Sequence, residues 1–143
     1  MILYKLSRYF FLKKMKPISF IFDLMIRYFY RCAIFGATDI GKNTVFAYGG
    51  IAVIIHKRAV IGSNCIIGSC VTIGGKSKSI GVPKIGDNVY IASGAKILGD
   101  INIGSNCVIG ANAVVVTSIP DNCLVAGIPA KILKTNIDPK DYY

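Results

Sequence analysis

His56 is the only histidine in a chain of 143 residues. It is therefore the only side chain whose charge changes near neutral pH without help from its surroundings. General-base work on a hydroxyl or amine proton is the chemistry this residue type offers; the plain alternative is a surface histidine facing solvent. All seven acidic residues are aspartates, and Asp39, the nearest of them in sequence, is the candidate to orient the imidazole. The five cysteines, Cys32, Cys65, Cys70, Cys107 and Cys123, form no CxxC pair and no metal-ligand spacing. Their odd number, and their places among small apolar positions, read as reduced, packed thiols of a cytoplasmic protein. No metal is expected.

The elements that must position His56 follow a period of six. Aliphatic residues fall at Ile55, Ile61, Ile67 and Ile73, then in register at Ile85, Ile91, Ile97, Ile103, Ile109 and Val115. Four residues after each comes a second apolar residue, mostly small, such as Ala59, Cys65, Ala95 and Ala113. Glycine often follows the first position, and asparagine recurs three after it at Asn64, Asn88, Asn106 and Asn112, with Gly94 in the same slot. Six is the period of neither a strand nor a helix. A short strand followed by a turn satisfies it, with Asn or Gly where the backbone is left-handed. Stacked coils then bury a core that one hexad could not bury, so the pattern predicts a β-helix. His56 occupies the glycine slot after Ile55, which faces outward. Two stretches break the phase: "FAYGGIAVI" at 46–54 and "GKSKSIGVPK" at 75–84, the second expected as an extruded loop.

Residues 1–31 differ in kind. They hold seven basic residues against Asp23 alone, +6 of a formal net charge of +10, and are rich in Phe and Tyr. Two short helices are predicted, with Pro17 in the first turn of the second. Their plain role is a cap on the main domain or on a sister subunit. The sharper role is contact with anionic lipid at the inner face of the membrane. No run reaches the roughly 18 apolar residues of a membrane span, no secretory signal pattern fits, and nothing resembles a groove-reading nucleic-acid motif. The predicted division is a helical segment at 1–35, a repeat domain at 36–134 and a polar tail at 135–143.

The block "VTIGGKSKSIGVPKIGDNVYIASGAKILGDINIGSNCVIGANAVV" followed by "IPDNCLVAGIPAKIL" resembles the serine acetyltransferase branch of the hexapeptide-repeat acyltransferases, over roughly residues 36–134. The resemblance implies a mainly β fold, a left-handed parallel β-helix, assembled as a homotrimer with acetyl-CoA between neighbouring subunits. It implies that Gly94 and Ala111 lie along the pantetheine arm and that Lys131 and Lys134 meet the CoA phosphates. It also exposes departures. The family's catalytic histidine falls on Tyr48 when the chains are aligned through Phe46, and the aspartate that orients it falls on Ala33. Short chains of this kind are also similar to acetyltransferases that decorate sugars of capsule or lipopolysaccharide.

Acetyl transfer from a thioester needs a base for the acceptor and a donor for the developing oxyanion, with no metal. The expected function is thus acetyl-CoA-dependent O-acetylation of serine or a sugar, with His56 as base and Tyr48 positioning the acceptor. Two alternatives stay open: N-acetylation of an amino-sugar nucleotide, and a non-catalytic trimeric relative that has lost the family's histidine and aspartate.

Overall fold

The computed structural model describes residues 1–142. Two helices, α1 (Ile2–Leu12) and α2 (Lys16–Tyr30), precede fourteen short strands. The first coil carries β1 (Asp39–Ile40), β2 (Val45–Phe46) and β3 (Ile54–Ile55). The second carries β4 (Val60–Ile61), β5 (Ile66–Ile67) and β6 (Thr72–Gly74). The third carries β7 (Lys84–Ile85), β8 (Tyr90–Ile91) and β9 (Lys96–Leu98), and the fourth β10 (Asn102–Ile103), β11 (Val108–Ile109) and β12 (Val114–Val115). β13 (Cys123–Gly127) and β14 (Ala130–Thr135) close the stack. Like strands of successive coils pair in parallel, which makes three faces: the first β1-β4-β7-β10, the second β2-β5-β8-β11-β13-β14, the third β3-β6-β9-β12. This is the parallel β-helix expected from the repeats, with the left-handed winding that the resemblance implies.

The hexad chemistry explains the winding. Ile55, Ile67, Ile73, Ile91, Ile97, Ile109 and Val115 are fully buried, as are Cys65, Val71, Ala95, Cys107 and Ala113 four residues after such positions. Each strand therefore sends one side chain inward and each turn a second, smaller one. Lys84 pairs with Asn102, eighteen residues on, the length of an uninterrupted coil. Asp39 pairs with Val60 and Val60 with Lys84, twenty-one and twenty-four residues on. The extra residues are the two predicted interruptions: three between β2 and β3, six in the exposed loop between β6 and β7.

The two recurrent small residues answer to different constraints. The asparagine slot is the left-handed one, with φ of 57° at Asn64, 55° at Asn88 and 56° at Asn106. The glycine after the aliphatic residue is there for space. A Cβ on Gly62 would lie 2.4 Å from the carbonyl oxygen of Gly86 in the next coil.

Three boundaries move from their sequence-based places. The coil pairing already begins at Ala33, which bridges Ile54, because Arg31 turns the chain in a left-handed conformation and Cys32 and Ile34 face inward. The repeat domain does not stop at 134, since β14 runs to Thr135 against β13. Residues 135–142 are not a loose tail either: Pro139 is buried and the Ile137 N–H donates to the Asn122 carbonyl at 3.1 Å.

The helices are fastened to the first coil. The Tyr4 hydroxyl donates to the Thr38 carbonyl at 2.8 Å. Ser7 Oγ and the Gly36 N–H both donate to Asp23 Oδ1, at 2.6 and 2.9 Å. Arg8 donates to the Gly36 and Ala37 carbonyls and pairs with Asp39 at 2.7 Å. The thiols divide. Burial pushes Cys32 up to about 11, and burial likewise raises Cys65 and Cys107. Cys70 is exposed, so it is not a packed thiol as expected.

Candidate functional site

The three faces meet at three edges, and two of these edges share one turn design with different side chains. At the edge between the first and second faces, the asparagine side chains stack: Asn88 donates to Asn106, and Asn106 to Asn122. From the second coil onward, the residue after the glycine has its N–H capped by a side chain of the next coil. Ser63 N–H donates to Asp87, Asp87 N–H to Ser105 Oγ, and Ser105 N–H to Asp121, at 2.6, 3.1 and 2.7 Å. This edge is closed by its own side chains.

The edge between the second and third faces is built from the same turns and lacks those caps. The left-handed slot holds Cys70, Gly94 and Asn112 in successive coils. The turn N–H groups of Gly94 and Asn112 donate to the Ser69 and Ser93 carbonyls of the coil before. The N–H groups of Ser69, Ser93 and Ala111, which occupy the capped position of the other edge, make no hydrogen bond among the described residues. Coil spacing is about 4.8 Å, so these three donors form a row along the prism. A backbone donor left open on a partly exposed surface is a place for a ligand carbonyl or an oxyanion.

Three predicted site residues lie on this open edge. Ala111 is one of the unpaired donors. Gly94 sits beside it at φ 79°, and a Cβ there would fall 1.9 Å from Asn112 Oδ1, so a side chain at this position would push the Asn112 amide aside. Tyr48 stands at the same edge on the first coil, in the 3-10 turn Ala47–Gly50 that takes up the three extra residues. Its φ is 53°, and its side chain is 77% exposed. Lys131 and Lys134 are exposed on β14, opposite Ala126 and Leu124 of β13. Lys131 lies beside the end of the row, where β13 reaches the open edge at Gly127, and Lys134 lies further along β14 toward the closed edge.

His56 is elsewhere. It follows β3 and so stands at the edge between the third and first faces, across the third face from Tyr48. It lines a mainly apolar cleft of about 360 Å³ with Arg27, Ala33, Phe35 and Ile54. Its Nδ1 accepts a hydrogen bond from the Arg58 backbone N–H at 3.1 Å. A neutral ring so held carries its proton on Nε2, and the outward nitrogen is then a donor. Asp39 does not orient it, because its carboxylate is engaged by Arg8. Arg58 itself reaches the Ile80 carbonyl, tying the 75–83 loop to the same edge. Within one chain, the imidazole and the open edge are separate.

Ser69 and Ser93 were missed by sequence reasoning. The signal was present: the closed edge needs Asp or Ser one coil ahead (Asp87, Ser105, Asp121), whereas the open edge offers Ser93, whose hydroxyl instead accepts from Ser69 Oγ, and then Ala111.

Comparison with known proteins agrees with this architecture. Residues 83–117 match the family described as bacterial transferase hexapeptide (six repeats). A serine acetyltransferase of Staphylococcus epidermidis is 42% identical over 134 residues, 92% of this chain and 59% of that protein. A serine acetyltransferase solved in complex with CoA superposes with a TM-score of 0.83 at 30% identity, covering 92% of this chain and 54% of that one. A soybean serine acetyltransferase complexed with serine gives 0.86 at 33%, covering 92% and 54%. The chain spans about half the length of the curated relatives it matches.

Proposed function

We propose that this chain, which belongs to the hexapeptide-repeat family and is similar over its β-helix to serine acetyltransferases, is an acetyl-CoA-dependent O-acetyltransferase. The observation that carries the proposal is the row of unpaired N–H donors at Ser69, Ser93 and Ala111 on the open edge. The pantetheine arm of CoA carries amide carbonyls spaced along a thin chain, and such a row accommodates them. In this reading Lys131 and Lys134 meet the phosphates, as point charges without carboxylate partners among the described residues. The donor is a cytoplasmic metabolite, which places the reaction in the cytoplasm.

The reaction joins the acceptor oxygen to the acetyl carbonyl carbon and releases the CoA thiol, with the acceptor proton passing to a base. His56 is the base in this reading. Because it lies across the third face from Tyr48, one chain cannot supply both. A homotrimer brings different edges of neighbouring prisms together, and the loop-bearing edge of one copy, with His56, then faces the open edge of the next. Tyr48, exposed at the head of that edge, positions the acceptor. His56 becomes competent when the acceptor O–H replaces the Arg58 N–H on Nδ1.

Serine is the acceptor named for the relatives. One observation favours a sugar hydroxyl instead. Among the described residues no aspartate lies on the open edge: Asp87 and Asp121 cap the closed edge, and Asp23 and Asp39 anchor the helices. The ammonium of serine would find no counter-charge on the open edge itself; on the His56 edge that a neighbouring copy would bring to it, Asp100 is exposed. Release of free thiol from acetyl-CoA, measured with L-serine, neutral sugars and amino-sugar nucleotides, tests these readings together. Release only with amino sugars would replace O- by N-acetylation, and the absence of release with every acceptor would leave a binding protein without activity. His56→Ala is expected to lower kcat by about 10²–10⁴; unchanged turnover removes the base assignment. Mixing His56→Ala with Tyr48→Phe subunits should restore part of the activity, since some interfaces then hold both residues.

A further inference from the structure

The helical cap carries a surface that acetyl transfer does not use. A capping element at the end of a solenoid ordinarily has a polar outer side. Here α2 exposes Phe20, Ile21, Leu24 and Tyr28, one helical stripe with Phe20 60% and Tyr28 72% accessible. α1 exposes Ile2, Leu6, Tyr9 and Leu12 at the matching spacing. Between the stripes lies the turn at 13–16, which holds Lys13, Lys14 and Lys16, all exposed. Arg27 borders the α2 stripe. Bulky apolar side chains in one stripe, tyrosines with an apolar body and a wet tip, and lysines beside them are the features of a helix that lies in a lipid headgroup layer. Neither helix is long and apolar enough to cross a membrane, so a cap in contact with lipid would lie along the bilayer surface.

Charge decides between this occupant and a two-fold contact of the patch with itself. A two-fold contact sets the same patch against itself, so each cation would face cations. The only acid of residues 1–31 is Asp23, and its Oδ1 is already held by Ser7 and Gly36. No carboxylate of the cap is free to offset the +6. We infer that the α1–α2 cap docks the protein onto an anionic lipid surface, with the apolar stripes in the headgroup boundary and the 13–16 turn against the phosphates. This stands apart from the acetyl-transfer reading and holds or fails without it.

Co-sedimentation of the full chain with vesicles tests it. Vesicles containing phosphatidylglycerol should bind the protein, pure phosphatidylcholine vesicles should not, and added salt should weaken the binding. The combined variant Lys13→Gln, Lys14→Gln, Lys16→Gln should lose about a hundredfold in affinity, at roughly fivefold per lysine. These exposed positions leave the fold intact, to be checked by circular dichroism. Phe20→Ser with Leu24→Ser should abolish binding as well. Equal binding to both vesicle types, or none to either, overturns the proposal. So does concentration-dependent self-association in sedimentation velocity, without vesicles, that the Phe20→Ser, Leu24→Ser pair removes; the stripe would then be a contact between copies.

Discussion

The two edges flanking the second face have the same backbone and opposite surfaces. On one, the turn N–H groups of Ser63, Asp87 and Ser105 are met by an Asp or Ser from the next coil, and the left-handed asparagines hydrogen-bond in a ladder. On the other, the equivalent N–H groups of Ser69, Ser93 and Ala111 are open and the ladder is replaced by Cys70, Gly94 and Asn112. A hexapeptide coil thus becomes wall or groove according to one side chain per turn. A capped edge contributes to stability; an uncapped edge keeps its donors for a ligand.

Moving a cap from one edge to the other should give the largest effect. Ala111→Asp places on the open edge the residue type that caps Ser105 from position 121. It should occupy the Ser93 N–H, and it sets a charge beside an anionic ligand. A charged hydrogen bond is typically about 1.5–3 kcal/mol, so KM for acetyl-CoA should rise roughly ten- to a hundredfold while the unfolding midpoint holds or increases. An unchanged KM would mean that the open edge is not the CoA groove.

The reverse change comes next. Asp121→Ala removes the cap from the Ser105 N–H, and the expected loss is about 1–3 kcal/mol of stability. Denaturant titration reads this, and KM for acetyl-CoA should not move. Smaller again are Lys131→Ala and Lys134→Ala. Each lysine is exposed, so each should raise KM about fivefold at most, an effect that fades as salt is added. If one variant acts and the other does not, the phosphates lie at that end of β14.

The smallest contrast is chemical. Cys70, on the open edge, should react first with a thiol reagent, and acetyl-CoA should slow it. Cys32 should wait for unfolding. Burial holds its thiol up to about 11 against an ordinary value of 9.0. The native state therefore keeps Cys32 neutral where the unfolded chain ionises it. The stability this provides is fully present below pH 9.0, and it is lost as pH rises toward about 11.

The fold was legible because its cause is local. A hexad repeats the same inward pair, as at Ile67 with Val71 and Ile91 with Ala95, and a period that holds from Ile55 to Val115 reads as a stack of coils, whose left hand the resemblance supplied. The two interruptions were legible for the same reason, as breaks in phase. The glycine after each aliphatic was legible as a feature but not in its cause, since the clash a Cβ would meet at Gly62 comes from a coil twenty-four residues on. Cys70 misled because its slot looks like any other turn position until the open edge is seen.

From residues alone came the β-helix, the basic aromatic cap, and Gly94 and Ala111 as small residues at turns. Which edge each turn belongs to came only from the tertiary structure. Three added residues before β3 and six before β7 shift residue numbers against faces, so proximity along the prism cannot be counted from the chain. That is why Tyr48, Ser69, Gly94 and Ala111 align across sixty residues, while His56, eight residues from Tyr48, stands at the next edge.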